Sequence, residues 1–416
     1  MKKISIITPT HNNQFLRETY DSIKDQDFFE WIIVRNEQAL KQNFSFLTND
    51  KRVKIYDLDI HCPIIGSLKR FACSKASGDI ILELDHDDLL LPTAIKEVEK
   101  AFQDKEIGFV YSNCAYFNNQ DFSKPQRFNP AYGWRWREFE YRGYWLDEIV
   151  SFPPTPASIS RVWFAPDHLR AWRKDIYWQV GGHNKEMRVL DDHELIIRMY
   201  LATKFYHIDK CLYLYRIHQT NSWAEKERNK EIQEGTLRLY DQYIYKLCER
   251  WCELNNLPKI DLGGRFNSPN GYKSVDIKNA DIILDLTKKW ALKDNSVGLI
   301  RAHDILEHLP DKHFTMSEIY RVLVPGGYLL SLTPSAMGQG AYQDPTHKSF
   351  WVRNSFYYYT KKDQAWYIDN DKIKFITMRL EEYYPNIWAK QNEIIYIKAD
   401  LIKIPSRERV PGIVEI

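Results

Sequence analysis

The sequence predicts an α/β protein with two sheet-forming domains joined by a helix. Three observations carry this. The chain has 416 residues, more than a single hydrophobic core usually organises. Short apolar runs alternate with helical-period segments twice, once on each side of a polar stretch, which is the pattern of parallel α/β sheets. The polar stretch itself carries apolar residues at helical spacing.

In the first half the predicted strands are Ile4-Ser5-Ile6-Ile7, Trp31-Ile32-Ile33-Val34, Val53-Lys54-Ile55-Tyr56 and Asp79-Ile80-Ile81-Leu82-Glu83-Leu84. In the second half they are Lys259-Ile260-Asp261-Leu262, Ser274-Val275-Asp276-Ile277, Val297-Gly298-Leu299-Ile300 and Gly327-Tyr328-Leu329-Leu330-Ser331-Leu332. Between them Ile232, Leu239, Tyr243, Leu247, Trp251 and Leu254 mark one face of a helix that ends near Pro258,. The expected layout is therefore a domain over 1–225, a connecting helix over 226–257 and a second domain over 258–416. Residues 116–166 are rich in Trp, Tyr, Phe, Pro and Arg with weak periodicity, and are expected to form an irregular substrate-side insertion or lid.

Composition sets limits on partners. Hydrophobic residues make up 44% and charged residues 27%, as in a soluble globular protein, and the formal net charge is only +2,. Nothing global then favours nucleic acid or an anionic membrane, since both rest on a large excess of positive charge. Aromatic residues reach 14%, which suits sugar or base stacking and equally suits an ordinary core. Cys62, Cys73, Cys114, Cys211, Cys248 and Cys252 are scattered, and the Cys248/Cys252 pair lacks a second pair with which to hold zinc,. Reduced thiols in the cytoplasm are the plain expectation. The apolar run after Lys2-Lys3 stops at Thr8-Pro9, short of a signal sequence,. No stretch approaches the ~20 apolar residues of a membrane helix, so any membrane association is expected to be peripheral.

The strongest chemical signal is Leu84-Asp85-His86-Asp87-Asp88, at the end of an apolar strand. Carboxylates there sit at the crevice where α/β sheets bind ligands. They suit a hard divalent cation of the kind that neutralises a diphosphate. An acidic turn ahead of a helix would use the same residues.

Other segments fall in a fixed order around this cluster: Ser5-Ile6-Ile7-Thr8-Pro9-Thr10-His11-Asn12, Gly66-Ser67-Leu68-Lys69-Arg70, Ala76-Ser77-Gly78-Asp79-Ile80, Val180-Gly181-Gly182-His183-Asn184, Leu190-Asp191-Asp192-His193-Glu194-Leu195 with Arg198, and Tyr215-Arg216-Ile217-His218 with Asn221. Together they resemble the family 2 glycosyltransferases of the GT-A fold over roughly residues 1–225. The resemblance implies an inverting, single-displacement transfer of a sugar from a nucleotide-diphosphate donor to an acceptor hydroxyl. It implies donor contacts at Thr8, Pro9, Thr10, Asn12, Arg70, Asp85, His86 and Asp87, and Mn²⁺ or Mg²⁺ at Asp87 with His218 beside it. Asp192 becomes the general base, with Asp191, Gly181 and Gly182 on the acceptor side. In the insertion, Trp134 and Trp136 are expected to form an acceptor platform for a glycan. Where the family's second strand ends in Asp-Asp, this chain reads Arg35-Asn36-Glu37, so Glu37 or Asn36 is the candidate to read the base. Asp191, Asp192 and Glu194 would also serve as helix-start carboxylates favoured by the dipole.

From Lys259 onward the chain resembles small class I S-adenosylmethionine-dependent methyltransferases, a Rossmann-like fold. The matching segments are Ile260-Asp261-Leu262-Gly263-Gly264-Arg265, Val275-Asp276-Ile277, Asp281-Ile282-Ile283-Leu284-Asp285-Leu286, Ala302-His303-Asp304-Ile305-Leu306-Glu307-His308-Leu309 and Glu318 to Gly327. The resemblance implies S-adenosylmethionine contacts at Gly263, Gly264, Asp276, Asp285 and His303. Arg265 stands where these proteins carry a glycine. Gln343-Asp344-Pro345-Thr346-His347, with the aromatic residues after it, resembles an acceptor-side loop and would equally be a capped turn before a core segment. Three other readings stay open: a methyltransferase whose first domain recognises a glycan, a second domain acting as a scaffold, and a sugar transferase acting on modified DNA bases.

Overall fold

The structure is a computed structural model, and it describes residues 2–58, 64–162, 164–218, 226–265 and 267–404. Cys62 and Asn221 lie outside the described residues. The chain divides into two compact units, Met1–Leu247 and Cys248–Ile416.

In the first unit the strands are β1 (Ile4–Thr10), β2 (Glu30–Arg35), β3 (Val53–Asp57), β4 (Ile80–Glu83), β5 (Leu89–Leu90), β6 (Ile107–Asn118), β7 (Trp136–Tyr141), β8 (Tyr144–Ile149), β9 (Arg170–Arg173) and β10 (Lys204–Ile217). The helices are α1 (Leu16–Ile23), α2 (Ile65–Lys75), α3 (Ala94–Ala101), α4 (Pro156–Arg161), α5 (Lys174–Gln179), α6 (Asp191–Ala202) and the greater part of α7 (Lys226–Leu254), whose last turns, from Cys248, belong to the second unit. Among the described residues the sheet runs β3-β2-β1-β4-β9-β6-β10-β5. Strands β3, β2, β1 and β4 are parallel, and β9 is antiparallel to both β4 and β6.

β1 is buried along its whole length because both faces of the sheet are covered, as its unbroken apolar run requires. One face packs on Leu16, Ile23, Ala94, Ile95 and Val98 of α1 and α3. The other packs on Leu68, Ala72 and Cys73 of α2, on Leu195 and Ile196 of α6, and on Ile232, Leu239 and Leu247 of α7. The carboxyl ends of β1 and β4 therefore open on the same edge.

Residues 116–166 are more regular than expected. β7 and β8 form a hairpin turned by Arg142 and Gly143, both with positive φ (52° and 84°), and β8 joins the main sheet through β6. Positive φ at both turn positions is the geometry of a tight hairpin. Its period was hidden because Tyr144 and Trp145, neighbours that point to opposite faces, are both exposed, so apolar residues do not alternate with polar ones,.

The second unit carries β11 (Lys259–Leu262), β12 (Lys273–Asp276), β13 (Ile282–Ile283), β14 (Val297–His303), α8 (Lys312–Val322), β15 (Leu323–Pro334), β16 (Phe375–Tyr383) and β17 (Tyr396–Lys403). The sheet order is β13-β12-β11-β14-β15-β17-β16, with β17 antiparallel to both its neighbours. The expected strand–helix alternation fails in its first half. The links 263–272, 277–281 and 284–296 hold no helix among the described residues, and they are shorter than or close to the dozen residues a helical crossover needs. The last turns of α7 serve this sheet: Cys248 and Cys252 are fully buried, and a β-carbon on Gly298 would sit 2.7 Å from the Cys252 sulfur. Among the described residues no helix is long and apolar enough to cross a membrane.

Candidate functional site

A cavity of about 1140 Å³ opens at the carboxyl edge of β1 and β4. Pro9, Thr10 and His11 enter it from β1, Asn36 and Glu37 from the end of β2, and Asp85, His86 and Asp87 from the loop after β4. Lys69 reaches it from α2, Asp191 and Asp192 from the start of α6, and Tyr215 and His218 from the end of β10. Residues distant in sequence thus meet because each ends a strand or starts a helix at one sheet edge.

The acidic loop holds three aspartates in three different states. Asp88 is buried and points inward, accepting hydrogen bonds from the Tyr213 hydroxyl (2.8 Å) and the Arg216 amide (2.7 Å). Burial, with Asp87 and Asp85 close by, pushes its carboxyl well above the usual range. Asp87 lies 2.7 Å from Nε2 of His218. Burial works to raise its carboxyl, but the His218 hydrogen bond and His86 hold it below its ordinary value. Asp85 is raised by burial, only partly opposed by Lys69 and His168. An aspartate with a neighbouring imidazole offers the oxygen and nitrogen donors that suit a divalent ion of the Mn²⁺ kind.

Lys69 is buried between acids, paired with Glu83 and lying 3.7 Å from Asp191. Gly66 makes this possible. A β-carbon there would sit 2.1 Å from the Asn184 carbonyl oxygen, so only glycine lets α2 approach the loop that leads to α6,. At the start of α6, burial lifts the Asp191 carboxyl to about 7, against the pull of Lys69. Asp192 is bound by the guanidinium of Arg170. Burial would raise it, but Arg170 and Lys69 win and hold its carboxyl well below the usual range.

Several expected residues are placed elsewhere. Thr8 is fully buried, its hydroxyl donating to the Leu84 carbonyl (2.7 Å) and accepting from the Trp31 indole (2.8 Å), so it joins β1 to β4 behind the cavity. Asn12 turns back on its own loop, accepting from the Gln14 amide at 3.0 Å. Arg70 grips the carbonyls of Gly181 and His183, and Arg198 grips those of Val180 and Gly182. The glycines, with φ of 91° and 66°, form a loop clamped by two arginines and do not line the cavity. Trp134 packs against Phe128, Phe152 and Phe164, two of which line the cavity, so it backs the wall without forming it. Trp136 lies on β7 under the Arg127 guanidinium, away from the cavity.

Sequence reasoning missed the segment Asp167-His168-Leu169-Arg170. His168 stacks on Tyr213 at 4.8 Å and sits 3.9 Å from Asp85, while Arg170 neutralises Asp192. Asp167 accepts from the Tyr116 hydroxyl at 2.7 Å. The available signal was three charged or polar residues, Asp167, His168 and Arg170, closely spaced at the start of a buried strand.

In the second unit Gly263 has φ of 72°, and a β-carbon there would meet Ile305 at 2.9 Å. On Gly264 it would meet the Asp261 carboxylate at 2.3 Å. Asp261 itself is fully buried and pairs with Arg301 at 2.7 Å. Both glycines are thus required by packing. Asp276 ends β12 half-buried. Asp285 accepts from the Thr287 amide (3.0 Å) and hydroxyl (2.6 Å) and pairs with Lys288. Those hydrogen bonds hold it at about 2. His303 ends β14, and burial with Arg301 nearby lowers it to about 3.

Residues 5–165 match the family model "Glycosyl transferase family 2", and residues 267–331 match "Methyltransferase domain". The chain thus carries a segment similar to family 2 glycosyltransferases in its first sheet-forming unit and one similar to methyltransferase domains in its second. It is 25% identical over 230 residues to "Hyaluronan synthase" of Pasteurella multocida, covering 54% of this chain and 21% of the relative. The chain therefore spans about a fifth of that relative's length. Among solved structures, residues 1–349 of S. aureus TarS superpose with a TM-score of 0.41 at 18% identity, covering 61% of this chain and 73% of that one. The same protein in complex with UDP-GlcNAc gives 0.41 at 17% identity over 59% and 72%.

Proposed function

We propose that the first domain transfers a sugar from a nucleotide-diphosphate donor to an acceptor hydroxyl, in the cavity at the carboxyl edge of β1 and β4. The observation that carries this is the meeting of two acidic sets across one cavity, Asp85 and Asp87 from β4 and Asp191 and Asp192 from α6. Asp87 and His218 would hold Mn²⁺ or Mg²⁺, which would neutralise the diphosphate charge. Pro9, Thr10, Asn36 and Glu37 border the place for the nucleoside, with Glu37 as reader of the base. His86, packed edge-to-face on His11 at 4.8 Å, stands on the phosphate side.

Asp192 takes the acceptor proton as the acceptor oxygen attacks the anomeric carbon. The bond from that carbon to the phosphate oxygen breaks on the opposite face, the nucleoside diphosphate leaves, and inversion follows from that single displacement. Arg170 fixes the orientation of Asp192 and weakens it as a base, so proton transfer is late, following bond formation. The acceptor is a glycan hydroxyl, met by the aromatic wall that Trp134 supports from behind.

Domain limits of 1–225 and 258–416, with a connecting helix between them, accompany this reading. For the second domain we propose S-adenosylmethionine binding, with the ribose hydroxyls on Asp276. Asp276 fits that role, while Asp285 is committed to its own turn. Titration of the full chain with S-adenosylmethionine and S-adenosylhomocysteine tests it, and no heat with either removes it. For the first domain, melting is followed with uridine, guanosine, thymidine and cytidine diphosphates, with and without Mn²⁺. Stabilisation by one of them, only with Mn²⁺, is expected, and stabilisation by none would sink the reading.

A further inference from the structure

The second domain holds a group that neither sugar transfer nor cofactor binding uses. Glu307 and His308 lie in a short turn just after β14, and His347 lies in the loop region after β15. β14 and β15 are adjacent and parallel, so both segments stand at the carboxyl edge of the sheet, where α/β folds place ligands. Donor atoms of the three residues all fall within 4.8 Å of one another. Glu307 Oε1 is 4.0 Å from His347 Nε2, and the two imidazoles meet edge-to-face at 4.9 Å.

The surroundings leave donor atoms of Glu307 and His347 turned toward each other. His347 Nδ1 lies 2.8 Å from the Ala341 carbonyl, an acceptor only, so Nδ1 carries the hydrogen and Nε2 presents its lone pair,. The other oxygen of Glu307, Oε2, accepts from the Thr333 hydroxyl at 2.7 Å, which leaves Oε1 for a further partner. His308 Nδ1 is 3.3 Å from the Thr346 carbonyl. The amides of Lys348 and Ser349 donate to the Glu307 carbonyl at 2.7 and 2.9 Å, pinning one segment to the other. Such outer contacts are what fix ring orientation and tautomer in metal sites. Glu307 is only 2% exposed, and a buried carboxylate facing an imidazole lone pair is unfavourable unless a cation or proton joins them.

We propose that Glu307, His308 and His347 bind a divalent transition-metal ion, Zn²⁺ foremost, at the ligand edge of the second domain. Two imidazoles and one carboxylate suit Zn²⁺, Mn²⁺ or Fe²⁺, and suit Mg²⁺ or Ca²⁺ poorly. Tetrahedral coordination at ~2.1 Å places donor atoms ~3.4 Å apart, so side-chain rotation brings this set to bonding distance. Asp344 Oδ2 is 4.0 Å from His347 Nε2 and half-exposed, and it or water completes the shell. Where water holds that fourth position it can exchange, as in sites that bind a substrate oxygen.

The test uses the full chain, stripped with a chelator and titrated with Co²⁺, whose visible absorption reports nitrogen and oxygen ligation. One site is expected in Asp87→Asn, which silences the sugar-donor metal, and affinity there should fall ~100-fold or more on His347→Ala or His308→Gln. Zinc content after dialysis should fall in parallel. His308 is part-exposed, so His308→Gln is the variant expected to keep the fold, and its melting curve checks this. No visible band in Asp87→Asn would overturn the proposal. So would unchanged Co²⁺ binding in a natively melting His308→Gln protein.

Discussion

Lys69 holds the site together electrostatically, and replacing it is the most informative perturbation. Its ammonium is buried among Glu83, Asp191, Asp85 and Asp192, and those acids keep it protonated well above its ordinary range despite the burial that opposes this. In Lys69→Met the chain stem stays and the charge goes. Removing one partner of a buried ion pair costs about 3–5 kcal/mol, because the other is left uncompensated. For a unit of this size each kcal/mol moves the melting temperature by about 2–4 °C, so a fall of about 6–20 °C is expected.

The loss should depend on pH in a defined direction. With Lys69 present, burial tends to raise Glu83 but Lys69 and Arg170 hold it at about 2, so its contribution is present at neutral pH and lost as pH falls through about 2,. Without Lys69, Glu83 rises and Asp191, already lifted by burial, rises further. The folded variant then binds more protons than the unfolded chain, and it regains stability as pH falls toward about 5. Melting of Lys69→Met and the parent at about pH 5.5 and about pH 8 is the assay, with the larger deficit expected at the higher pH. A deficit equal at both, or below about 2 °C at both, would refute Lys69 as the counter-charge.

Other expectations are more local. Asp192→Asn should leave donor affinity near the parent's while transfer falls ~100-fold or more; survival of transfer together with its loss in Asp191→Asn would shift the base by one residue. In Asp87→Asn, Mn²⁺-dependent stabilisation by a nucleoside diphosphate should vanish, and calorimetry with unchanged metal dependence would take Asp87 out of the site. Burial lifts Asp191 to about 7, so the parent should lose stability as pH rises from its unfolded value through about 7, and Asp191→Asn should flatten that slope. Trp134→Ala should cost about 2–4 kcal/mol through lost packing on Phe128 and Phe164. It should raise the acceptor KM while nucleotide affinity holds; steeply salt-dependent DNA binding by the parent would instead favour a nucleic-acid acceptor.

Much of this was legible from residue order alone. β1, β2 and β4 announce themselves as apolar runs because both faces of the first sheet are covered, and Asp85 and Asp87 follow directly at a strand end. Helix α7 was readable from Ile232, Leu239 and Leu247 at helical spacing. Long-range pairing was not readable. Nothing local says that Arg70 and Arg198 clamp the Gly181–Gly182 loop, that Arg170 would neutralise Asp192, or that Thr8 turns inward to Leu84 and Trp31. Those assignments depend on which groups meet across the sheet, not on spacing along the chain. The missing crossovers of the second domain escaped for a related reason: strand motifs at Asp276 and Asp285 read the same whether or not a helix lies between them.

The proposed transfer requires one cavity to join a metal-held nucleotide sugar to an acceptor base. Its most direct measurement is release of nucleoside diphosphate from a panel of uridine, guanosine, thymidine and cytidine diphosphate sugars. It compares the parent with Mn²⁺, the parent with chelator, Asp87→Asn and Asp192→Asn. Turnover of one donor class by the Mn²⁺-loaded parent is expected, with none in the presence of chelator or in Asp87→Asn, and ~100-fold or greater loss in Asp192→Asn. Turnover that ignores Mn²⁺ and survives both substitutions would contradict it.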